Sequence, residues 1–303
     1  MDAINPLSPG AKLKALLAQP GILVCPGVYD GFSLRLVEQA GYKTANISGA
    51  GLSESNLGWA DVGIMGYAEN LRASAALAAV SSIPLQADAD TGYGNALNVY
   101  FTVQGFERAG LACVMIEDQV WPKRCGHMKG KAVISAEEAA EKIRAASEAR
   151  RDPDFVVMSR TDTLATHGIA EVIRRLTLYA EAGADLLFAD ALLSVEEIRT
   201  VARAVPKPLT VNMGFGIRSR STTPLLSAAQ LQDLGVAVVI YPRLLTAAAI
   251  QGMNNALAAF REMLASGKAV DRPDLLVSFE ELNDLLGIAE LQRLEQRHAE
   301  KVG

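Results

Sequence analysis

The sequence predicts a (β/α)8 barrel, and three observations support this prediction. Eight short apolar, β-branched runs alternate with longer segments of helical period along almost the whole chain. The runs are continuously apolar, as expected of parallel strands that are buried on both faces. Glycine recurs just past a helix and before a strand, where a left-handed conformation is needed, at Gly41, Gly110, Gly183 and Gly235. Eight such units in 303 residues favour a closed barrel over an open doubly wound sheet.

The strands and the segments between them can be assigned in chain order. The eight expected strands are residues 21–27, 44–50, 84–90, 112–118, 155–161, 185–191, 208–213 and 237–242. Amphipathic helix patterns such as "AEVIRRLTLYAEAG" separate them, and no linker divides the chain, so residues 1–303 are expected to form one barrel domain. Residues 244–303 are expected to form a C-terminal helical segment. Its apolar helix is longer than a barrel needs, which predicts packing on another subunit.

Composition restricts the classes of function. Half of the residues are hydrophobic and the net charge is −5, which argues against a nucleic-acid partner. No apolar run approaches the ~18 residues of a membrane span, and the N-terminus lacks the pattern of a signal peptide. Three cysteines, Cys25, Cys113 and Cys125, are too few for a disulfide framework or a four-cysteine zinc site. We therefore expect a cytoplasmic protein with a small-molecule partner.

Polar residues cluster where the expected strands end, which is where barrel enzymes build their active sites. The cluster comprises Ser48, Gly49, Ala50 and Gly51, then Asp88 and Asp90, Glu117 and Asp118, Arg160 and Asp162, Asp190, and Asn212. Strand alternation would place Asp88 and Asp90 on one face, and acids at this rim are typical of a Mg²⁺ or Mn²⁺ site. Any single acid could instead cap the following helix. Small residues after Ser48 let backbone amides approach a carboxylate, and Arg160 can bind one through two hydrogen bonds.

The loop after the fourth strand carries the segment "KRCGHMKGK", residues 123–131. It is long enough to fold over the barrel mouth. The neighbouring cations would stabilise a thiolate, which makes Cys125 a candidate acid or base. Two other interpretations remain open: an exposed loop with an incidental cysteine, or a zinc site that includes His127. Zinc would need two more ligands, and only two further histidines are present in the chain.

Several motifs in order resemble the isocitrate lyase/phosphoenolpyruvate mutase superfamily over about residues 22–260. They include "NISGAGLSESNLGWADVGIM", "ADADTGYGNALNV", "IEDQVWPKRCGHMKGK", "SRTDTLATHG" and "AGADLLFADA". The intact "KRCGH" resembles the motif of the carbon–carbon lyase branch. The short chain, without a large insertion, is similar to the 2-methylisocitrate and 2,3-dimethylmalate lyases. The resemblance implies a Mg²⁺-dependent barrel whose last helix is exchanged between subunits, usually in a homotetramer built as a dimer of dimers.

The resemblance also implies roles for individual residues. It makes Asp88 the direct metal ligand. Asp61, Asp90 and Glu117 would hold the metal through water molecules or would support the groups that bind it. Ser48, Gly49, Ala50 and Arg160 would bind the 2-hydroxy or 2-keto carboxylate, and Asn212 and Thr223 the second carboxylate. Cys125 would carry the proton, with Gly126 and His127 contacting substrate. Asp190 stands where family lyases generally have glutamate, and Arg218 and Arg220 either bind an additional carboxylate or form a solvated turn.

The implied reaction is cleavage of a 2-hydroxy di- or tricarboxylate, by retro-aldol or retro-Claisen chemistry, to a keto acid and a carboxylic acid. Three alternatives stay open on the sequence. They are decarboxylation or hydrolysis of oxaloacetate on the same metal platform, chemistry at a phosphorus–carbon bond, and metabolite binding without catalysis.

Overall fold

The computed structural model describes residues 7–126, 128, 130–215 and 223–299, and within them eight parallel strands close into a barrel. The strands are β1 (Leu23–Val28), β2 (Ala45–Ile47), β3 (Leu85–Asp88), β4 (Cys113–Glu117), β5 (Val156–Thr161), β6 (Leu186–Ala189), β7 (Leu209–Asn212) and β8 (Val238–Tyr241). Strand β8 closes the barrel by pairing with β1, Val24 opposite Val239. The predicted barrel and its eight strands are confirmed, each strand within a few residues.

Helices surround the barrel in the expected alternation. They are α1 (Pro9–Leu17), α2 (Gly31–Gln39), α3 (Gly49–Leu57), α4 (Tyr67–Val80), α5 (Ala96–Arg108), α6 (Ala136–Ala149), α7 (Leu164–His167), α8 (Ile169–Glu181), α9 (Val195–Ala204), α10 (Ala228–Asp233), α11 (Leu244–Ser266), α12 (Phe279–Leu285) and α13 (Ile288–Ala299). The four glycines at the helix-to-strand joins all have positive φ, between 83° and 108°. They therefore end their helices in the left-handed conformation that the sequence predicts.

Two apolar layers hold the barrel together. Inward-facing side chains such as Met158, Phe188 and Ile240 fill the interior, and Leu13 of α1 packs with them, fully buried. Outward-facing side chains such as Val157 pack against the helices in a second, larger layer. Each fully buried aliphatic side chain contributes roughly 1.5–3 kcal/mol. The filled interior leaves the strand ends as a rigid rim that carries polar groups.

Helix α11 leaves the barrel with an uncovered apolar stripe. Its residues Ile250, Met253, Leu257, Phe260 and Leu264 are each more than half exposed and recur every three or four positions. That spacing puts all five on one helix face, as in a seam between packed helices. No helix in the described ranges is both long and apolar enough to cross a membrane.

Candidate active site

A cavity of ≈ 40 Å³ lies at the C-terminal ends of the strands. Its walls are formed by Asn46, Ser48, Ala50, Asp61, Asp88, Met115, Lys123, Cys125, Gly126, Arg160, Phe188, Asp190, Asn212, Ile240, Pro242 and Arg243. Most of the candidate residues from the sequence therefore converge on one space. Since about 10–15 Å³ of such space holds one water molecule, the cavity takes only a few waters, and admitting a dicarboxylate would require the loop to move.

Four of the residues that the resemblance gives a role do not line this cavity, and three residues named from the sequence lie outside the described ranges. Gly49 lies directly against Asp88: a Cβ there would be 2.8 Å from Asp88 Oδ2. Asp90 and Glu117 are buried just behind the wall, and Thr223 is buried without lining the cavity. His127, Arg218 and Arg220 are the three outside the described residues.

Asp88 and Asp90 are brought together by a turn. The sequence argument placed both on one face of a strand, which is wrong because β3 ends at Asp88. Asp90 follows in the left-handed region, with φ 48°, and its backbone amide donates to Asp88 Oδ1 at 3.0 Å. Strain of this kind persists only where the surroundings enforce it, and it clusters at functional sites.

Lys123 places an ammonium group among these acids. Its Nζ lies 2.6 Å from Asp61 Oδ1 and 2.9 Å from Asp90 Oδ1, and the side chain is 5% exposed. Burial lowers the pKa of Lys123, but the carboxylates of Asp90, Glu117 and Asp61 raise it well above its ordinary value. Burial raises the pKa of Asp90 to about 7 and raises the pKa of Asp88 and Glu117 as well. This cluster of poorly solvated acids is stabilised by positive charge.

The acid cluster fits a hard divalent cation that keeps most of its water. Within the described ranges, no three His, Cys, Asp or Glu side chains surround a common point as a ready-made cage. Mg²⁺ is usually held by only one or two carboxylates and retains several waters, so such a cage is not required. Asp88 lines the cavity, and the missing side chain at Gly49 leaves open the space beside its carboxylate. Oxygen donors of this type suit Mg²⁺ or Mn²⁺.

Arg160 is the centre of a second charged network. Its Nε and Nη2 donate to the two oxygens of Asp162 at 2.8 and 2.9 Å. Glu117 Oε2 lies 3.3 Å from Nε, Asp190 Oδ2 lies 3.1 Å from Nη2, and the guanidinium sits 5.3 Å from the centre of the Phe188 ring. The Nε–Nη2 edge of Arg160, one of the two edges that could bind a carboxylate through two bonds, is already held by Asp162. A substrate carboxylate would meet a guanidinium of fixed orientation.

The described part of the 119–131 loop packs directly onto this network. A Cβ on Gly126 would lie 1.7 Å from Asp190 Oδ2, so only a glycine fits there in the closed position. Lys131 Nζ donates to the Gly126 carbonyl at 2.7 Å and to Asp162 Oδ1 at 2.9 Å. Asp190 in turn accepts from Asn212 Nδ2 at 3.0 Å. The loop is thus closed over the strand ends.

Cys125 is carried to the cavity wall by this closed loop. Its backbone amide donates to the Asp61 carbonyl at 3.1 Å, and Arg243 Nη2 donates to its sulfur at 3.4 Å. The other two cysteines are fully buried, and burial raises the pKa of Cys113 well above its ordinary value and that of Cys25 to about 12. Cys125 is the cysteine whose thiol faces the site.

Helix capping, the alternative explanation for the strand-end residues, holds for Asp30 and Ser48 but not for the acids near the expected metal position. Asp30 caps α2, and the Ser48 hydroxyl accepts from the Gly51 amide and caps α3. Asp88, Asp90 and Glu117 cap no helix in the described ranges. Because α3 begins at Gly49, its first-turn amides have no intrahelical partner, and Ser48 and Ala50 at this end of the helix line the cavity.

Four important contacts were not assigned from the sequence. Lys123 and Lys131 were treated only as a basic setting for the thiol, although each forms a buried ion pair. Arg243 and the Phe188 floor under Arg160 were not considered as site residues. The signal available for Arg243 was its position directly after β8, where a barrel places site residues.

Comparison with known proteins gives consistent matches over nearly the whole chain. A family model described as phosphoenolpyruvate phosphomutase matches residues 13–261. The 2,3-dimethylmalate lyase of Eubacterium barkeri is 36% identical over 97% of this chain and 99% of that protein. The 2-methylisocitrate lyase of Aeropyrum pernix is 38% identical over 97% of this chain and 92% of that protein.

Solved structures with the same fold include enzymes of different activities. Oxaloacetate acetylhydrolase, in complex with 3,3-difluorooxalacetate, superposes with a TM-score of 0.90 at 31% identity, covering 97% of this chain and 98% of that one. Phosphonopyruvate hydrolase, in complex with oxalate and Mg²⁺, superposes with a TM-score of 0.82 at 30% identity, covering 97% and 100%. The overall fold therefore does not distinguish these reactions.

Proposed function

Because the chain belongs to the phosphoenolpyruvate mutase/isocitrate lyase superfamily, we propose that it is a Mg²⁺-dependent carbon–carbon lyase. Its substrate would be a 2-hydroxy di- or tricarboxylate of the 2-methylisocitrate or 2,3-dimethylmalate type. The observation that carries the proposal is that Asp88, Arg160 and the Cys125 thiol line one cavity. Such a cleavage needs a carboxylate that can bind a cation, a guanidinium that can bind a substrate carboxylate, and a thiol that can donate a proton.

The proposed reaction is a cleavage between C2 and C3 of the substrate. The 2-hydroxyl loses its proton, the C2–O bond becomes a carbonyl, and the C2–C3 electron pair moves onto C3 and its carboxylate. This yields a keto acid and the enediolate of a carboxylic acid. The Cys125 thiol then donates its proton to the enediolate carbon. A base in the site takes the hydroxyl proton and passes it to solvent, and the thiolate regains one proton from solvent after the products leave, so the protons balance over one cycle.

The chain's own groups would share the work as follows. Arg160, fixed by Asp162, supplies positive charge to the carboxylate at C2, and the first amides of α3 donate to the same group. Asn212, already paired with Asp190, would donate to the second carboxylate. The closed 119–131 loop excludes water from the carbanion-like carbon. A metal ion held at Asp88, with Asp61, Asp90 and Glu117 behind it, would stabilise negative charge on the substrate oxygens.

A substrate panel tests the proposal. Purified enzyme is given 2-methylisocitrate, isocitrate, 2,3-dimethylmalate, citramalate and oxaloacetate, with Mg²⁺ or with EDTA, and keto-acid release is followed. We expect turnover of at least one 2-hydroxy acid that EDTA abolishes and Mg²⁺ restores, and that falls by about 10²-fold or more in Cys125→Ser. No keto acid from any of these acids, or turnover that is insensitive to EDTA, would contradict a lyase.

Oxaloacetate hydrolysis or decarboxylation is the second candidate, favoured by the fold match to oxaloacetate acetylhydrolase. Decarboxylation should survive Cys125→Ser far better than cleavage of a 2-hydroxy acid, because it does not depend on this thiol as the carbon acid. Comparing the fold loss on oxaloacetate with the loss on the best 2-hydroxy acid separates the two. Turnover of phosphonopyruvate, followed by ³¹P spectroscopy, would indicate phosphorus–carbon chemistry instead.

We also propose that the enzyme is a homotetramer of helix-exchanged dimers. The support is the exposed apolar stripe of α11 and an apolar groove beside β1 and β8, lined by Val24, Tyr42, Tyr241 and others. Leu257→Asp should dissociate the assembly, and light scattering would measure its mass. A monomeric wild type would contradict the proposal. The chain has only three cysteines and none forms a disulfide, which favours the cytoplasm.

A further inference from the structure

Arg243 occupies a position that the proposed reaction does not yet explain. It lies between β8 and α11, lines the cavity, and donates a hydrogen bond to the Cys125 sulfur. Its Nη2 is 3.4 Å from Cys125 Sγ, within the range for a hydrogen bond to sulfur. The side chain is only 21% exposed. A partly buried guanidinium beside a thiol is energetically significant, because it is always charged.

Glu54 fixes the orientation of this guanidinium. Both Glu54 oxygens accept from Arg243 Nη1, at 2.7 and 2.6 Å. Since Nη1 is occupied and the group is planar, Nη2 is left directed at the sulfur. The Glu54 carboxylate also balances the positive charge of Arg243, so a substrate carboxylate would have to compete with Glu54 for the guanidinium. The contacts therefore favour a role toward the thiol over a role as a carboxylate receptor.

The two ends of this ion pair stand on the rigid rim of the barrel. Glu54 lies on α3, whose first turn is capped by Ser48. Arg243 follows Pro242, whose backbone packs against Gly27 of β1 so closely that a Cβ on Gly27 would be 2.5 Å from the Pro242 carbonyl oxygen. Cys125, by contrast, belongs to the loop that must open. We therefore expect Arg243 to keep its position while the Cys125 thiol moves with the loop.

We infer that Arg243 is a positioning residue which, anchored by Glu54, holds the Cys125 sulfur at the cavity wall when the loop is closed. The inference rests on the proposed function, in which this thiol protonates the enediolate carbon. As the new C–H bond forms, the S–H bond breaks and its electron pair stays on sulfur. The contact with Nη2 then joins two opposite charges and is stronger than the contact with the neutral thiol. An interaction that strengthens during the reaction increases kcat rather than substrate affinity.

The test compares variants on the substrate that the panel identifies. Arg243→Ala removes the contact, Arg243→Lys keeps the charge without the planar group, and Glu54→Gln removes the anchor. Arg144→Ala, which breaks an exposed ion pair with Glu141 on α6, is the matched control. For each variant, kcat, KM, the melting temperature and the solvent deuterium isotope effect on kcat are measured. Arg243→Ala is also assayed with guanidinium chloride at non-denaturing concentration.

The expected pattern follows from the loss of one charge-assisted contact, worth about 10- to 100-fold in rate. In Arg243→Ala, kcat should fall by about that factor while KM changes less than about threefold. The isotope effect should rise, because proton transfer from sulfur becomes slower, and guanidinium should restore part of kcat. Arg243→Lys and Glu54→Gln should lie between wild type and Arg243→Ala, and the control should equal wild type.

Two results would overturn the inference. The first is a kcat for Arg243→Ala within twofold of wild type. The second is a large rise in KM with unchanged kcat, which would make Arg243 a substrate contact. If wild type releases no keto acid at all, the proposed function fails, and the contact between Arg243 and the Cys125 loop is tested alone by amide hydrogen exchange of segment 119–126. Exchange there should be faster in Arg243→Ala. Equal exchange in wild type and variant would show that Arg243 does not hold the loop.

Discussion

Substitution of Gly126 by alanine is expected to disable the enzyme without unfolding it. Gly126 lies outside the left-handed region, so its backbone is open to alanine. The obstacle is space: the new methyl would lie 1.7 Å from Asp190 Oδ2 and 2.6 Å from Arg160 Nη2. Ordinary contact begins at about 3.4 Å, so one side must retreat by roughly 1.7 Å. The buried ion pair is held by several partners, and the loop is the part that can move.

A retreat of that size carries the neighbouring Cys125 away from the reacting carbon. Displacement of a catalytic group by about 1 Å costs on the order of 10²-fold in rate, so kcat should fall by at least about that factor. The melting temperature should change by less than about 2 °C, because the loop opens and the barrel stays packed. Keto-acid release and thermal unfolding measure the two effects.

Gly31→Ala is the matched control for this experiment. A Cβ at Gly31 would have no atom within 4 Å, so activity should stay at the wild-type level. A kcat for Gly126→Ala within threefold of wild type would show that the loop does not need this approach to the barrel. The closed position described above would then not be the reactive one.

Three further predictions test the metal site, the buried hydrogen-bond network around Asp118 and the loop. Asp88→Asn should lower keto-acid release by more than about 10³-fold and weaken Mg²⁺ or Mn²⁺ binding in calorimetry, because it removes the carboxylate at the proposed cation position. Asp118→Asn should lower the free energy of unfolding by about 3 kcal/mol in urea, since three side chains and one backbone amide donate to this buried carboxylate. The exposed Glu141→Gln should change it by less than about 0.5 kcal/mol. Trp121→Ala removes an edge-to-face contact with Tyr93, so kcat/KM should fall about 2- to 10-fold as the closed loop loses population.

The barrel could be predicted from the sequence because its signals are local. Continuous apolar runs and a glycine after each of four helices specify strands and joins over short distances. The identity of the acids at the strand ends follows from those positions. The contact between Asp88 and Asp90 could not be predicted in this way. The turn that brings them together needs Asp90 in the left-handed conformation, and no sequence pattern indicates this.

Contacts between distant segments were beyond sequence patterns. Lys123 meets Asp61 across 62 positions, and Arg243 meets Cys125 across 118. Such pairs depend on the path of a loop over the rim, which hydrophobic periodicity does not encode. The basic segment was recognised as important, but which of its cations pairs with which acid required the three-dimensional structure.

Helix α11 begins at the active site and extends away from it. It starts one residue after Arg243 and runs for 23 residues, or about 34 Å at 1.5 Å per residue. A tilt of about 5° would move its far end by roughly 3 Å while its first turn hardly shifts. Movements of the outer part of α11, where the apolar stripe is exposed, would therefore displace the Cys125 thiol much less than they displace the helix end. The geometry lets the outer part of α11 change without disturbing the chemistry at its base.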